Sequence, residues 1–205
     1  MKATFARAWR FVRWPLGVIF VLYVGLVIYR IPAVMDKQKT AEAVAQITAQ
    51  KITLSDVMGA ALPPTPNEQE NNSSVAGIDK NGNGIRDDVE LAIFKEYPNS
   101  TKIRAAELQY AMALQSEAAD VFNKDTWVAG AIQDDRGYQC IGELHSRTNL
   151  NEALSVLSMR SKEVKNLVFN TSMRRSIYEK NSNFTTSFGP PDTYFCDIDL
   201  NTLPN

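Results

Sequence analysis

The chain has 205 residues, 44% hydrophobic and 22% charged, which excludes a disordered or fibrous polypeptide and leaves room for a membrane segment beside one domain of ordinary size. Lys+Arg 22 against Asp+Glu 23 gives a formal net charge of -1, a balance that makes no case for nucleic acid as a partner. One histidine, His145, and two cysteines, Cys140 and Cys196, exclude zinc sites built from several His and Cys ligands and exclude a dense disulfide scaffold.

The first 35 residues carry Lys2, Arg7, Arg10, Arg13 and Arg30 and no acid. No charge interrupts Trp14 to Tyr29, a run that covers roughly 24 Å as a helix. Ile31 to Met35 lengthen the apolar stretch toward the ~30 Å of a hydrocarbon core while Arg30 snorkels. Export cleavage needs small residues soon after the apolar run, and Ala41-Glu42-Ala43 comes too late. Residues 1–35 therefore read as an uncleaved single-pass anchor in an inner-membrane lipid bilayer. Four positive charges before the run keep the amino terminus cytoplasmic and send the remainder across. Without the five basic residues of this segment, the rest of the chain holds 17 basic and 23 acidic side chains, a net charge of −6.

Asp36 to Ile52 is polar and rich in helix formers, so it reads as a stalk helix. Ala61 to Ser74 (ALPPTPNEQENNSS) reads as a linker or an exposed extended loop, which divides the chain into 1–35, 36–74 and 75–205. Beyond Val75 the periodicity is mainly helical. Val89, Ala92, Ile93 and Tyr97 line one helix that Pro98 stops. Ser100 or Thr101 caps a second, with Ile103, Ala106, Tyr110, Leu114, Ala118 and Val121 as its stripe. Asn149 or Asn151 starts a third, carrying Leu150, Leu154, Leu157, Val164, Leu167 and Val168. Thr171 caps a short fourth around Met173, Ile177 and Tyr178. In the tail, Tyr194, Cys196, Ile198 and Leu200 alternate, which predicts an extended segment. The expected fold class is mainly α: a transmembrane helix, then a small helical domain with one EF-hand-like loop and an extended tail. In an exported domain Cys140 and Cys196 are most simply one disulfide, stabilising the fold by roughly 4 kcal/mol through loop closure. A Cys140 nucleophile helped by His145 has no further support in the sequence.

Asp79 to Glu90 (DKNGNGIRDDVE) matches D-x-[DN]-x-[DN]-G-x5-E, the calcium loop of EF-hands. Ca²⁺ takes six to eight oxygens, and a tight twelve-residue loop turns alternate residues inward to supply them. Asp79, Asn81 and Asn83 would give side-chain oxygens, and Ile85 its backbone carbonyl, so that its side chain matters little. Asp87 would bind directly or through water, and Glu90 with both oxygens. Gly84 occupies the sharp turn. Arg86 stands where an aliphatic residue normally pairs with a second hand, and NNSSVAG upstream does not read as an entering helix. The loop is therefore a single site, better suited to clamping the following helix than to sensing. Its expected affinity lies in the weak range of extracellular modules, roughly 10⁻⁴–10⁻³ M.

The basic start, the single apolar segment, Leu62-Pro63-Pro64, GIDKNGNGIRDDVE and the late cysteine together resemble a group of proteobacterial envelope proteins with no assigned function. The similarity is strongest over Leu62 to Tyr97 and returns at Leu167 to Asn181. It implies a bacterial inner-membrane protein with a periplasmic domain, and it supplies no catalytic residues.

Weaker signals read blandly. Asp134-Asp135-Arg136-Gly137 reads as a turn, Asp192, Asp197 and Asp199 as solvated acids, and Arg174-Arg175 as a basic cluster too small for a polyanion. The expected function is that of a calcium-stabilised periplasmic interaction protein with a protein partner in the envelope, an accessory or immunity-type component and not an enzyme. The alternative is a hydrolase using His145 and carboxylates.

Overall fold

The computed structural model describes residues 2–145, 148–189 and 194–204, and for residues 2–13 the backbone alone. Eight α-helices are described: α1 (Lys2–Ala49), α2 (Leu54–Met58), α3 (Glu68–Asn71), α4 (Asp87–Glu96), α5 (Thr101–Ala119), α6 (Lys124–Gly142), α7 (Leu150–Val168) and α8 (Ser172–Asn181). Short 3₁₀ turns follow at Ser182–Phe184 and Leu200–Thr202, and no strand occurs among the described residues. The chain is mainly helical, as its periodicity implies.

Helix α1 runs through both the expected anchor and the expected stalk. It contains Pro15 and Pro32, and no Gly or Pro interrupts it between Met35 and its end. From Trp14 onward it is long and apolar enough to cross a membrane, with a mean hydropathy of 2.2 over its most apolar stretch and none of that stretch buried. The side chains of Lys2, Arg7, Arg10 and Arg13 lie outside the described residues.

The chain forms two compact units, the first ending at Glu42 and the second beginning at Ala43. The second starts well before the expected boundary at Val75. Ile47 and Val57 are fully buried, and Ile52 and Val57 belong to the hydrophobic core. Between Ala61 and Ser74 the Pro- and Asn-rich stretch is bound in place and is not a free linker. Asn71 is buried and accepts from the Ile78 N–H. Arg174 of α8 donates to the carbonyls of Asn71, Ser74 and Val75 and to the Asn72 side chain. Within it Asn67 caps the short helix α3, and the prolines do not keep the stretch from being held against the body. The Arg174-Arg175 cluster of the sequence therefore separates: Arg174 is buried as a structural donor, while Arg175 is exposed.

Helix α5 is the axis of the second unit. Ser100 caps it, accepting from the Ile103 N–H, and α2, α4, α6, α7 and α8 all pack against it. Its stripe of Ala106, Tyr110, Leu114 and Ala118 is buried as expected, but so are Arg104, Glu107, Gln109, Gln115 and Glu117. Four of these five polar side chains hold another part of the chain. Arg104 donates to the carbonyls of Val57, Tyr97 and Pro98. Glu107 pairs with Arg160 at 2.9 Å. Gln109 donates to the Phe195 carbonyl and accepts from the Asp197 N–H. Gln115 holds the loop before α4.

Helix α6 replaces the turn expected at Asp134-Asp135-Arg136-Gly137. Asn123 and Thr126 close a capping box at its start, which stabilises the first turn. Gly137, a poor helix former in isolation, lies where α6 crosses α5: a Cβ there would come within 2.8 Å of Tyr110 Cα. The glycine is a contact point between helices, and the local sequence does not distinguish that from a turn.

The tail is not a regular extended segment. It is pinned by the Cys140–Cys196 disulfide, by Leu200 and Leu203 in the core, and by Asp197. Asp197 is not a solvated acid: it pairs with Arg136 at 2.6 Å and accepts from the Ile52 N–H. Asp199 is exposed and accepts from the Asn201 N–H, and Asp192 lies outside the described residues.

Candidate metal loop

Asp79 to Glu90 forms a closed loop delivered onto the first turn of α4. Its carboxylates and amides fold inward onto their own backbone. Asp79 Oδ1 accepts from the N–H groups of Gly82 (2.8 Å) and Asn83 (3.2 Å), and its Oδ2 accepts from Gly84 N–H (2.8 Å). Asn81 Oδ1 accepts from Asn83 N–H, and Asn83 Oδ1 accepts from Ile85 N–H. Asp87 Oδ1 accepts from Lys80 N–H at 2.9 Å, and the Asp87 N–H reaches the Ile78 carbonyl at 2.8 Å. Gly82 and Gly84 have φ of 72° and 84°, the left-handed region that lets the loop double back.

The loop is tied to the rest of the unit from α5 and α7. The Gln115 side chain donates to the Gly84 carbonyl at 3.3 Å and accepts from the Arg86 N–H at 3.0 Å. A single amide thus meets both a carbonyl and an N–H of the loop, as a neighbouring strand would. Arg86 itself is fully buried. It donates to the carbonyls of Leu167 and Val168, the unpaired end of α7, and pairs with Asp88 at 2.5 Å. Burial alone would raise the Asp88 carboxyl, but the hydrogen bond and charge of Arg86 bring it below the usual carboxylate range. Ile85, expected to matter for its carbonyl alone, also buries its side chain fully in the core.

Two features of the loop fit a cation. Asp87 is fully buried, and its Oδ2 has no hydrogen-bond partner. Glu90 is buried too, and burial, assisted by the charges of Asp56 and Asp87, pushes its carboxyl up to about 7 although the Asn81 amide hydrogen-bonds to it. Negative charge here lacks a positive partner. Other features depart from the expected ligand set. Asn81 presents Nδ2, not its oxygen, to Glu90 Oε2 at 3.0 Å, and it also donates to the Ala61 carbonyl. Among the described residues no three His, Cys, Asp or Glu side chains gather around one point as metal ligands. Any cation held here would depend on asparagine and backbone oxygens together with Asp79, Asp87 and Glu90.

His145 is half-buried with Nε2 lacking a partner. It lines none of the four cavities described for the chain, one of which, about 850 Å³, adjoins the loop at Asp56, Asp79 and Asn83. Sequence reasoning missed Gln115 and the carbonyl-binding role of Arg86. The one signal was the substitution of arginine for an aliphatic residue at that loop position.

The described residues define a mainly helical protein with one helix long and apolar enough to cross a membrane and a disulfide between Cys140 and Cys196. Compared with family models, curated proteins and solved structures, the chain matches none.

Proposed function

We propose that the protein is a membrane-anchored, calcium-stabilised binding protein of the bacterial envelope, its helical unit in the periplasm and its ion structural. The observation that carries the calcium reading is the pair of buried carboxylates, Asp87 with an unpartnered oxygen and Glu90 beside it without a positive partner, inside a loop with the full twelve-residue pattern. Asp79, Asn81, Asn83, the Ile85 carbonyl, Asp87 and Glu90 would hold Ca²⁺. The ion would supply the positive charge this loop lacks and fix the start of α4, which Arg86 and Gln115 tie to α7 and α5. A loop so tied is suited to stiffening a surface and not to opening a groove. The disulfide supports an oxidising compartment. The reading as an accessory or immunity-type component of an envelope assembly follows from that rigidity: the ion, disulfide and buried arginines hold one shape for another protein to recognise.

Calorimetric titration of the full chain in detergent with CaCl₂, after treatment with chelator, tests the ion. Saturable binding near 10⁻⁴–10⁻³ M, a higher melting temperature with calcium, and loss of both in Asp79→Ala and Glu90→Ala are expected, roughly as for extracellular modules. No heat and no shift in melting would overturn the calcium reading. Crosslinking in native membranes tests the partner, and a persistently solitary chain would overturn that part.

A further inference from the structure

Two carboxylates with buried side chains outside the Asp79–Glu90 loop each have a guanidinium: Glu107 has Arg160, and Asp197 has Arg136. Glu117 of α5 and Asp134 of α6 have none among the described residues. Glu117 is buried, and Asp134 Oδ1 is buried without a hydrogen-bond partner. Both line a cavity of about 450 Å³, within the range of small-molecule sites. Tyr110 is fully buried and lines the same cavity, and its hydroxyl makes no hydrogen bond within 3.5 Å although it stands near enough to Asp134 to oppose the rise of that carboxyl. Aromatic rings complete the walls. Trp127 and Phe188 meet edge to face with centroids 5.8 Å apart, and Tyr178 stands on α8.

Acids and aromatic faces around one cavity are the chemistry that holds an organic cation, since the carboxylates supply charge and the ring faces supply a negative quadrupole. Lys165 of α7 is the cation already present. Its Nζ stands 5.9 Å from the Tyr110 ring centroid and makes no ion pair within 4 Å among the described residues. One ammonium faces three lining carboxylates, Glu117, Asp134 and Asp135, and Asp135 is engaged by Gln139. Burial and the neighbouring Asp134 charge push the Glu117 carboxyl above its ordinary range, with Lys165 opposing. Burial disfavours the ionised form of both carboxyls, and a further positive group between them would favour it.

We propose that this cavity binds a primary alkylammonium group, the charged end of a free amine or of a lysine side chain, between Glu117 and Asp134, with Tyr110 at its base and Trp127 and Phe188 along the alkyl stem. The site is separate from the calcium loop, and its failure would leave that reading untouched.

The test is calorimetric titration of the full chain in detergent, in chelator, with n-butylammonium chloride, against n-butanol as the neutral isostere. Saturable heat from the amine alone is expected. Asp134→Asn and Tyr110→Phe should each weaken it by about tenfold or more, the scale of one charge-assisted hydrogen bond, with unchanged helical circular dichroism. The peptide acetyl-Gly-Lys-Gly-amide distinguishes the sources: tighter binding than butylammonium supports a lysine side chain, and weaker binding supports a free amine. Absence of saturable binding by both amine and peptide, equal binding of n-butanol, or unchanged affinity in both variants would overturn the proposal.

Discussion

The Gln115 side chain accepts from the Arg86 backbone N–H at 3.0 Å while donating to the Gly84 carbonyl, so one amide from the central helix stitches two points of the Asp79–Glu90 loop. Gln115→Met keeps the approximate volume and leaves a buried N–H and a buried carbonyl without partners. The expected loss is about 1–3 kcal/mol for such unpaired groups. A urea denaturation midpoint, compared with that of the parent chain, measures it. Gln115→Glu keeps the acceptor for Arg86 and loses the donor to Gly84, and should fall between the two.

Arg86 joins the loop to the end of α7 with one guanidinium on two carbonyls and one carboxylate. Arg86→Met leaves Asp88 and the Leu167 and Val168 carbonyls without that partner. About 1–3 kcal/mol of stability should be lost, the scale of buried carbonyls left without a donor, since Asp88 is itself partly exposed and keeps Asn170 as a donor. Arg86→Lys should recover only part of it, because a compact ammonium does not span the three acceptors. Equal stability of Arg86→Met and the parent in denaturant would refute this account.

Gly137→Ala separates propensity from packing. Alanine is the better helix former by about 1 kcal/mol. Its methyl would come within 2.8 Å of Tyr110 Cα and 3.2 Å of Tyr110 N, backbone atoms that yield only if α5 and α6 move apart. Overpacking of this kind costs about 1–3 kcal/mol, so the variant should melt lower than the parent in a thermal scan. A higher melting temperature would mean that the two helices separate without cost.

Stability should fall as pH rises from about 5 to about 7.5. Burial pushes the Glu107 carboxyl up to about 7 although Arg160 is beside it, and burial pushes Glu117 up as well. Unfolded glutamates titrate near 4.3, roughly. Across the interval the folded chain therefore binds more protons than the unfolded one, and that contribution is complete at low pH and lost as pH passes the raised values. Asp88, held low, acts only at more acidic pH. Melting temperatures at pH 5 and pH 7.5 measure the slope, and Glu117→Gln should flatten it. An unchanged slope in that variant would show that Glu117 does not carry it.

Local pattern alone determined much of this protein. The uninterrupted apolar run marked a helix able to cross a membrane, because hydropathy is a property of composition. The caps at Ser100, Asn149 and Thr171 and the stop at Pro98 were legible because they act on the backbone nearest to them. The turn through Gly82 and Gly84 was legible for the same reason, its oxygens accepting from their own neighbours, and two cysteines left one pairing.

Tertiary structure decided what depends on partners distant in sequence. Asp134 to Gly137 looked like a turn, and only the crossing of α6 over Tyr110 gives that glycine a place in a helix. The Pro- and Asn-rich stretch looked free, and Arg174, about a hundred positions later, binds its carbonyls. The apolar stripe of α5 did not show that the helix is enclosed, so that its buried polar side chains depend on groups from other elements. Glu107, Gln109 and Gln115 are matched, and Glu117 is not. Periodicity reports which face is apolar, but it does not report how many neighbours a helix has, and that number fixes whether a polar side chain meets water or protein.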